Sequence, residues 1–493
     1  MKSIDIAASV CKWLLLQYVL LALMPYFFEG IYGDGLLVLT FLYTTAYAVY
    51  WEYVPEEKRR AWLFVPYIAY LVIAVALSLI VDKWHLSLWL CALWPLYGLG
   101  CFFVAKYVRK WRGKLNGGYK FAIVLLFIVL KCISVAWERA GQGSFEGEKK
   151  DILDRRDYLA YRLVTEPQRV LDAMPSAIGE QFVGEWALYS CSMLSAALVN
   201  ISQLYPETQA ENLQKIDSLI DIVMSDELRK YDRMRWHEDP LETLDGDKSH
   251  VSYLSHLAWM ICGYKKAGGD GKYDELLASL CRTMNRRIHE SKAINLPTYP
   301  GEAVYVPDML VAIVALNEYA DIYGGKYRST VEAWVERARK EWLDEKSGLL
   351  VSFLKEDGNQ YEEMPVKGSY SALNCYYLTF IDKAFAREQY DTLKSLFWKD
   401  TWVTGLKEYC DRWYYFGMDI DAGFILFELS PSGTAFLAGP ATYFGDAQVR
   451  SGILKTAEIA GHTVGLGDNR HYLLGNVALV GEAIMLAMRT HTE

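Results

Sequence analysis

The stretch FAIVLLFIVLKCISVAW, residues 121–137, is followed at once by ERAGQGSFEGEKKDILDRRD, residues 138–157. The first part is apolar enough for a membrane-spanning helix, which needs about 20 apolar residues to cross the hydrocarbon core of a bilayer. The second part is densely charged, and an amphipathic chain continues from it to residue 493. The sequence therefore predicts a transmembrane anchor at 1–140 and a globular domain at 141–493.

Upstream of residue 121, four more apolar runs predict further spans, which makes five in total. The positive-inside rule orients them, because short loops rich in Lys and Arg stay in the cytoplasm. Basic residues fill the loop at 58–60 and the loop at 106–120, whereas the first and third connections hold only Lys83. An odd number of spans then places residues 140–493 outside the cytoplasm of a cell-membrane protein, at the inner membrane in a Gram-negative cell. The four upstream runs are 6–28, 35–53, 62–81 and 85–105.

Charge and cysteine usage exclude several classes of partner. Residues 1–140 carry 14 Lys/Arg and 8 Asp/Glu of the 51 and 60 in the chain, so the remainder carries 37 and 52, a net charge of −15. Nucleic acid is therefore not an expected partner. The five scattered cysteines of the large domain lack CxxC spacing, which predicts buried free thiols and leaves one disulfide open. No pattern predicts a cofactor or a metal, and a homo-oligomer stays open.

The large domain repeats apolar residues at helical spacing, so the fold class is all-α. Short turns with Gly or Asp join the helices as hairpins, which favours a closed (α/α)6 toroid in which amphipathic outer helices surround apolar inner ones. An open helical solenoid is the alternative. The predicted helices span 186–201, 253–264, 306–323, a segment ending near 343, then 370–384, 390–397, 432–443, 449–461 and 472–488.

Polar bends between the helices supply candidate site residues, because such bends lie at the mouth of a toroid. In the first bend Glu185 is expected in the first turn of a helix, where the dipole favours an anion. In the second, Trp236 precedes His250, Tyr253 and His256, whose spacing of three predicts one shared helix face. Ordinary roles stay open for both bends, as a helix-start carboxylate and as core histidines. Calcium at Asp245 and Asp247 is a weaker alternative, since no full EF-hand loop is present.

The third and fourth bends carry most of the remaining candidates. Residues 298–308 combine Tyr299, Glu302 and Tyr305 with Pro307, which suits a helix start and puts Asp308 in its first turn. In the fourth bend Asp419 and Asp421 alternate on an extended segment and should point the same way. They could act as an acid/base pair, bind a sugar hydroxyl or simply be solvated.

The order of these bends resembles linalool dehydratase-isomerase over roughly residues 230–460. The resemblance rests on the helix start Tyr253-Leu254-Ser255-His256-Leu257, on Tyr305-Val306 in the following loop, on residues 344–348 (DEKSG), and on Ser369-Tyr370. It implies an (α/α)6 fold with a central acid/base site that uses His256 and Tyr370. The two cysteines of that family correspond here to Tyr299 and Asp308, so thiol chemistry is not expected. Glu180 and Glu185 are candidates for its upstream acidic residue.

Three functions follow as hypotheses. The first is a lyase or isomerase for a small amphiphilic substrate, with His256, Glu302, Asp308 and Tyr370 catalytic. Its substrate-binding residues would be Glu185, Trp236, His250, Tyr253, Tyr299, Tyr305, Asp419 and Asp421. The second is a glycan hydrolase or polysaccharide lyase of the cell envelope, in which Asp419 and Asp421 act with Glu302 or Asp308. The third is a non-catalytic toroid that binds a partner.

Overall fold

The computed structural model describes residues 7–12, 117–140, 142–174, 180–401, 403–419, 421–476 and 478–493. It contains two compact units, one of residues 1–140 with 463–469 and one of residues 141–462 with 470–493. The described chain is mostly helical with a few short strands, which confirms the all-α class. Four predicted spans, 6–28, 35–53, 62–81 and 85–105, lie outside the described residues apart from a helical turn at 7–12, and the fifth falls within a helix.

The helices of the described chain are numbered here in chain order. They are α1 (Gly117–Arg139), α2 (Phe145–Leu163), α3 (Pro167–Asp172), α4 (Glu180–Leu204), α5 (Gln209–Val223), α6 (Asp226–Trp236), α7 (Val251–Lys266), α8 (Asp274–Glu290), α9 (Val306–Ile322), α10 (Arg328–Glu341), α11 (Gly368–Leu378), α12 (Lys383–Phe397), α13 (Pro431–Tyr443), α14 (Ala447–Gly461) and α15 (Leu479–Arg489). Short 3₁₀ turns lie at Pro206–Thr208, Gly467–Asn469 and Leu473–Asn476.

The strands are short and serve the loops. They are β1 (Val304–Tyr305), β2 (Phe353–Leu354), β3 (Trp398–Lys399), β4 (Gly405–Leu406), β5 (Phe416–Asp419), β6 (Gly423–Leu426), β7 (Thr463–Val464) and β8 (His471–Tyr472). Antiparallel pairs form between β1 and β2, between β3 and β4, and between β5 and β6.

Six helices of the larger unit contact one another in cyclic order. Helix α4 packs on α7, α7 on α9, α9 on α11, α11 on α13, α13 on α15, and α15 again on α4. A second set packs around them, with α2, α5, α8, α10, α12 and α14 each against one or two members of this six-helix ring. Burial separates the two sets, since α7 buries every residue from Val251 to Tyr264 whereas α8 buries one face.

The six ring helices run parallel. A cavity of about 230 Å³ is lined by residues at or just beyond the C-terminal ends of all six, namely Gln203, Lys266, Asp321, Phe380, Tyr443 and Glu493. The N-terminal ends of the ring helices therefore gather at the opposite end, here called the N-terminal mouth. Positive ends of six helix dipoles converge there, which favours negatively charged groups.

Four predicted helix boundaries, at residues 186, 384, 390 and 472, are wrong by six or seven residues, and two of them have a clear physical cause. The chain breaks after Leu378, not after residue 384, because the Asp382 side chain accepts a hydrogen bond from Phe385 N and caps α12. The last helix begins at Leu479, not at residue 472, because Tyr472 lies in a strand and donates its N–H to Glu482 Oε2. Apolar spacing continues through both segments, so periodicity alone does not reveal either break.

By length and hydropathy, the described ranges contain one helix suited to crossing a membrane, Phe182–Leu204 of α4. That stretch is mostly buried, as a core helix of a globular unit is. The predicted fifth span falls in α1, whose apolar side chains are widely exposed, with Leu126 at 50% and Ile133 at 57%.

Candidate functional site

Carboxylates from two ring helices meet at the N-terminal mouth. Glu185 lies in the second turn of α4, since that helix begins at Glu180, whereas the sequence predicts a helix over 186–201. Gly184 lets α4 approach α6 closely, because a Cβ there would lie 2.6 Å from Tyr231 Cβ. Asp308 lies in the first turn of α9 behind Pro307, as predicted.

Burial perturbs both carboxyl groups. It raises the pKa of Glu185 to about 8, the charge of Asp308 adds to the shift, and a hydrogen bond from Tyr299 opposes it only in part. Burial likewise raises the pKa of Asp308 to about 7, against a hydrogen bond from Thr298. Oε2 of Glu185 is buried and has no hydrogen-bond partner in the described part of the chain. Near neutral pH the pair can therefore hold one proton and one negative charge.

Phenol groups from three segments surround this pair. The Tyr370 hydroxyl donates to Asp421 Oδ2 at 2.9 Å, and burial with the charges of Asp421 and Asp308 raises the Tyr370 pKa well above its usual value. The Tyr305 hydroxyl donates to Glu302 Oε2 at 3.0 Å. The Tyr299 hydroxyl lies 3.4 Å from Ser252 Oγ. The ring centres of Tyr305 and Tyr370 lie 6.3 Å apart, so these side chains form an aromatic surface that carries hydroxyl groups.

Lys367 holds the two aspartates of the fourth bend. Its Nζ lies 2.9 Å from Asp419 Oδ2 and 3.3 Å from Asp421 Oδ2, so the two side chains do converge. Only Asp419 belongs to a strand, while Asp421 lies in the turn after it. Burial and the Lys367 hydrogen bond act in opposite directions on Asp419, and its pKa is lowered, whereas burial raises that of Asp421.

The position of Lys367 is set by a close backbone approach at the start of α11. A Cβ on Gly368 would lie 2.0 Å from Lys407 O, so a side chain cannot be accommodated there. The buried Glu408 accepts from Ser369 N at 3.2 Å and from Ser369 Oγ at 2.9 Å, which fixes the helix start. Lys367 immediately precedes that start, where a cation is disfavoured by the dipole. The ion pairs of Lys367 with Asp419 and Asp421 offset this unfavourable interaction with the helix dipole.

Glu302 is held in an ion pair. Arg235 Nη1 donates to Glu302 Oε1 at 2.9 Å, and its guanidinium lies 4.1 Å from the centre of the Tyr299 ring. Arg235 thus ties the loop before α9 to the end of α6. A carboxylate bound to a guanidinium and a phenol is better suited to orientation than to proton transfer.

His256 occupies a deeper layer than the carboxylates. Its Nδ1 lies 2.8 Å from Ser192 Oγ, and burial lowers its pKa to about 3, so the ring is neutral. The Tyr189 ring packs edge-on against it at 5.2 Å, and the charge of Asp308 contributes to raising the Tyr189 pKa. Tyr189 therefore contacts His256, and the charge of Asp308 acts on its phenol group. Within the described ranges, no hydrogen bond or ring contact joins His256 directly to Glu302, Asp308 or Tyr370.

The shared face predicted for His250, Tyr253 and His256 is wrong. His250 caps α7 and binds Asp232 and Glu238, whereas the Tyr253 hydroxyl donates to Val223 O at the end of α5. Residues six apart on a helix differ by about 120° in direction, so the outer members diverge.

Trp236 packs on His250 with ring centres 5.3 Å apart and is buried. In the described structure the contacts of Trp236, His250 and Tyr253 are with groups other than the carboxylate pair, and their predicted role in substrate binding gains no support.

The described residues include no group of three or more His, Cys, Asp or Glu placed to hold a metal ion. In the loop that carries Asp245 and Asp247, backbone carbonyls at Thr243, Leu244 and Gly246 accept from Arg286 and Arg287. Guanidinium groups thus occupy oxygen ligands that a calcium ion would need. All five cysteines of the large domain are free thiols, four of them buried and Cys410 half-buried.

Sequence analysis does not single out Tyr189, Arg235, Lys367 or Glu408 as site residues. Tyr189 could have been found, because it follows Glu185 by four residues and shares its helix face. Lys367 could have been suspected as a lysine at a helix start. Glu408 lies in a loop far along the chain and has no local pattern.

The motif at residues 344–348 is a turn and not part of the mouth. Asp344 Oδ2 accepts from Ser347 N and Ser347 Oγ, both at 2.7 Å, which closes the loop after α10. No protein-family model matches the chain.

Proposed function

We propose that the chain is a membrane-anchored acid/base enzyme whose six-helix ring, with its outer set of six, is an (α/α)6 toroid. The convergence of Glu185, Asp308 and Asp421 with phenol groups at the N-terminal mouth supports the proposal most strongly. Paired carboxyl groups of different proton affinity suit the removal of a hydroxyl group. The substrate class is a hydroxylated amphiphile, and the reaction is of the lyase or isomerase type, as the resemblance to linalool dehydratase-isomerase implies.

The proton transfers are assigned to Glu185 and Asp308. Protonated Glu185 gives its proton to the substrate hydroxyl, the C–O bond breaks and water leaves. Ionised Asp308 takes a proton from the neighbouring carbon, and those electrons form the C=C bond. Exchange with solvent returns both carboxyl groups to their starting states. His256, neutral and buried, then positions Tyr189 and does not transfer a proton.

Tyr370 and Tyr299 orient the leaving hydroxyl in this scheme. Each phenol is already tied to a carboxylate of the mouth, Tyr370 to Asp421 and Tyr299 to Glu185. Lys367 holds Asp419 in place and Arg235 holds Glu302 in place, each through an ion pair of 2.9 Å. The apolar rings of Tyr305 and Phe353, 5.2 Å apart, exclude water from the reacting atoms.

A glycan-cleaving hydrolase is the second candidate. The same acid and base could protonate a glycosidic oxygen and activate a water molecule. The exposed indole of Trp413, 82% open to solvent, favours it as a sugar platform. The non-catalytic module is less well supported, because carboxyl groups with raised pKa values converge at the mouth, as proton-transfer chemistry requires.

A screen of the purified full-length protein separates these functions. It would be incubated with long-chain and prenyl alcohols in one arm and with envelope polysaccharides in the other. Mass spectrometry would detect loss of water or isomerisation in the first arm and shortened or unsaturated chains in the second. Turnover in the alcohol arm alone supports the proposal, and turnover in the polysaccharide arm alone replaces it with the second candidate.

The pH dependence of kcat/KM should be a narrow bell. The rate falls below a pH of about 7 because Asp308 takes up a proton and no longer acts as a base. It falls above a pH of about 8 because Glu185 loses the proton that it donates. Initial rates across this range, on the substrate that the screen identifies, check it. A rate that keeps rising beyond pH 9 would contradict the assignment of Glu185 as the acid.

The large domain should lie outside the cytoplasm. The basic loops at 58–60 and 106–120 predict this orientation, and the exposed apolar side chains of α1 are consistent with a lipid environment. Alkaline phosphatase and a fluorescent protein that folds only in the cytoplasm, each fused after residue 493, report the compartment. Phosphatase activity without fluorescence is expected, and the reverse result would overturn the topology.

A further inference from the structure

The segment from Trp413 to Phe427, here called the aromatic hairpin, carries an unusual density of exposed apolar side chains. Strands β5 and β6 form it, and their cross-strand pairs include Phe416 with Leu426. Phe416 is 58% exposed and Phe424 59%, whereas Ile425 between them is fully buried. One face of the hairpin therefore packs on the domain and the other offers apolar surface to its surroundings. The exposed residues are Trp413, Tyr414, Tyr415, Phe416, Phe424, Leu426 and Phe427.

These side chains form one contiguous patch. The Tyr415 ring centre lies 5.1 Å from that of Phe416, 5.4 Å from Phe427 and 5.7 Å from Trp413. Phe416 and Phe427 are 5.8 Å apart. Contiguous apolar surface of this kind on a globular unit marks an interaction site more often than scattered exposed residues do.

The turn that presents Phe427 is strained. Leu426 and Leu429 exchange two backbone hydrogen bonds of 3.2 and 3.0 Å, which makes residues 427 and 428 a two-residue hairpin loop. Phe427 has φ of 55° and Glu428 has φ of 75°, values that suit Asn-Gly and not a bulky side chain. Lys399 holds the strained loop through Phe427 O at 3.1 Å and Glu428 Oε2 at 2.7 Å. Strain that exposes a phenylalanine brings the fold no benefit, so it points to a function.

The chemistry of the patch favours lipid over sugar or protein. Phe416, Phe424, Leu426 and Phe427 have no polar atoms in their side chains, whereas a sugar platform needs hydrogen-bonding groups beside its rings. Trp413 and Tyr415 add amphipathic rings of the kind enriched where bilayers meet water. The same chain carries α1, whose exposed apolar side chains are expected in a membrane. Such an anchor would give the hairpin a high effective concentration at the bilayer.

We propose that the aromatic hairpin inserts into the headgroup region of the bilayer and passes an amphiphilic substrate to the N-terminal mouth. The inference rests on the proposed membrane anchoring. The opposite tip of the hairpin carries Asp419 and Asp421, which contact Lys367 and Tyr370. At roughly 3.3 Å per strand residue, Phe416 lies about 10 Å along the hairpin from Asp419. A chain of modest length could span that distance with its hydroxyl group at the site.

Photocrosslinking in native membranes tests this directly. p-Benzoylphenylalanine would replace Phe424 or Trp413 in the full-length protein, and irradiated samples would be analysed for lipid adducts by mass spectrometry. We expect lipid adducts at both positions. A matched control at the exposed Tyr161 of α2, in the same compact unit, should give none above background.

The outcomes separate the hairpin from the anchor. The same photoreactive residue at Leu126 of α1 reports whether the anchor contacts lipid. Lipid adducts at Leu126 but not at Phe424 or Trp413 overturn the hairpin proposal alone. Absence of lipid adducts at all three positions overturns the anchoring and the hairpin proposal together. If the photoreactive residue at Phe424 or Trp413 instead forms adducts with glycan or with protein, the hairpin binds that partner and the proposal of a lipid contact is overturned.

A Phe427→Asn variant adds a second readout. Asn accepts a positive φ more readily than Phe, so the melting temperature should rise. Lipid adducts from Phe424 should fall, because the patch loses an apolar ring that contacts both Tyr415 and Phe416. A lower melting temperature would show that Phe427 stabilises the fold. An unchanged yield of lipid adducts would show that Phe427 does not contact the membrane. Either result counts against the proposal.

Discussion

Asp308→Asn should lower turnover by about 10²–10⁴-fold, the usual loss when a positioned proton-transfer group is removed. The amide has nearly the same shape as the carboxyl and cannot accept the proton from the substrate carbon. The half-buried side chain of Asp308 sits among groups that already tolerate an uncharged form, since burial raises its pKa to about 7. Steady-state rates of the purified full-length variant, on the substrate that the screen identifies, check the prediction.

Folding and active-site chemistry can be told apart in this experiment. A carboxyl group whose pKa is higher in the folded state than in the unfolded state makes the folded protein less stable as pH rises between these two pKa values. Asp308→Asn and Glu185→Gln should therefore melt no lower than the parent protein at pH 8 while both are inactive. Cys191→Ala and Cys262→Ala, which alter buried thiols of the ring, should keep their turnover. A near-normal rate for Asp308→Asn, or a folded but inactive cysteine variant, would refute the mechanism.

Arg489→Met should destabilise the larger unit by about 3–5 kcal/mol, because it removes a buried guanidinium that pairs with two buried carboxylates. Arg489 in α15 donates to Glu148 at 2.8 Å and to Asp151 at 2.6 Å, both in α2. Arg450 of α14 adds two bonds of 2.7 Å to Glu148. This buried cluster joins α2, which packs on the outside of the ring, to α15, the last helix of the ring. Chemical denaturation of the full-length protein in detergent measures the loss.

A surface ion pair supplies the matched control. Arg387 and Asp391 in α12 are both about half exposed, and Arg387→Met should change stability by less than about 0.5 kcal/mol. The cluster also predicts acid sensitivity. Arg450 and Arg489 outweigh burial and lower the pKa of Glu148 to about 2, so its contribution is present above pH 4.5 and disappears as pH falls toward 2. Equal stability of the Arg489 and Arg387 variants would contradict the structural role of the cluster.

Local patterns predicted the elements that depend on neighbours in the chain. Apolar spacing is sufficient to predict α7 and α9 to within a residue or two, because each turn repeats the same buried face. Pro307 marked the start of α9 and thereby placed Asp308 in its first turn. Where a side-chain cap or a distant carboxylate ends a helix, as at Asp382 and Glu482, the same spacing predicted the wrong boundary.

The candidate site divides in the same way. Sequence alone identified Glu185, Glu302, Asp308, Tyr370, Asp419 and Asp421 as polar residues at bends, since such residues stand out against apolar helices. It could not show that Lys367 joins Asp419 to Asp421, or that the Tyr189 ring packs against the neutral His256. Those relations are between residues tens of positions apart, and no spacing rule connects them.

By itself the sequence determined an all-helical globular domain behind a run of apolar segments, because hydrophobic spacing and its abrupt change at residue 140 are local properties. The tertiary structure alone decided which carboxyl groups have raised pKa values. Burial raises the pKa values of Glu185 and Asp308, nearby carboxylates add to both shifts, and these effects depend on the packing of helices that are distant in the sequence. It also decided that an aromatic face is left exposed, since only the folded hairpin shows which side of β5 and β6 is covered.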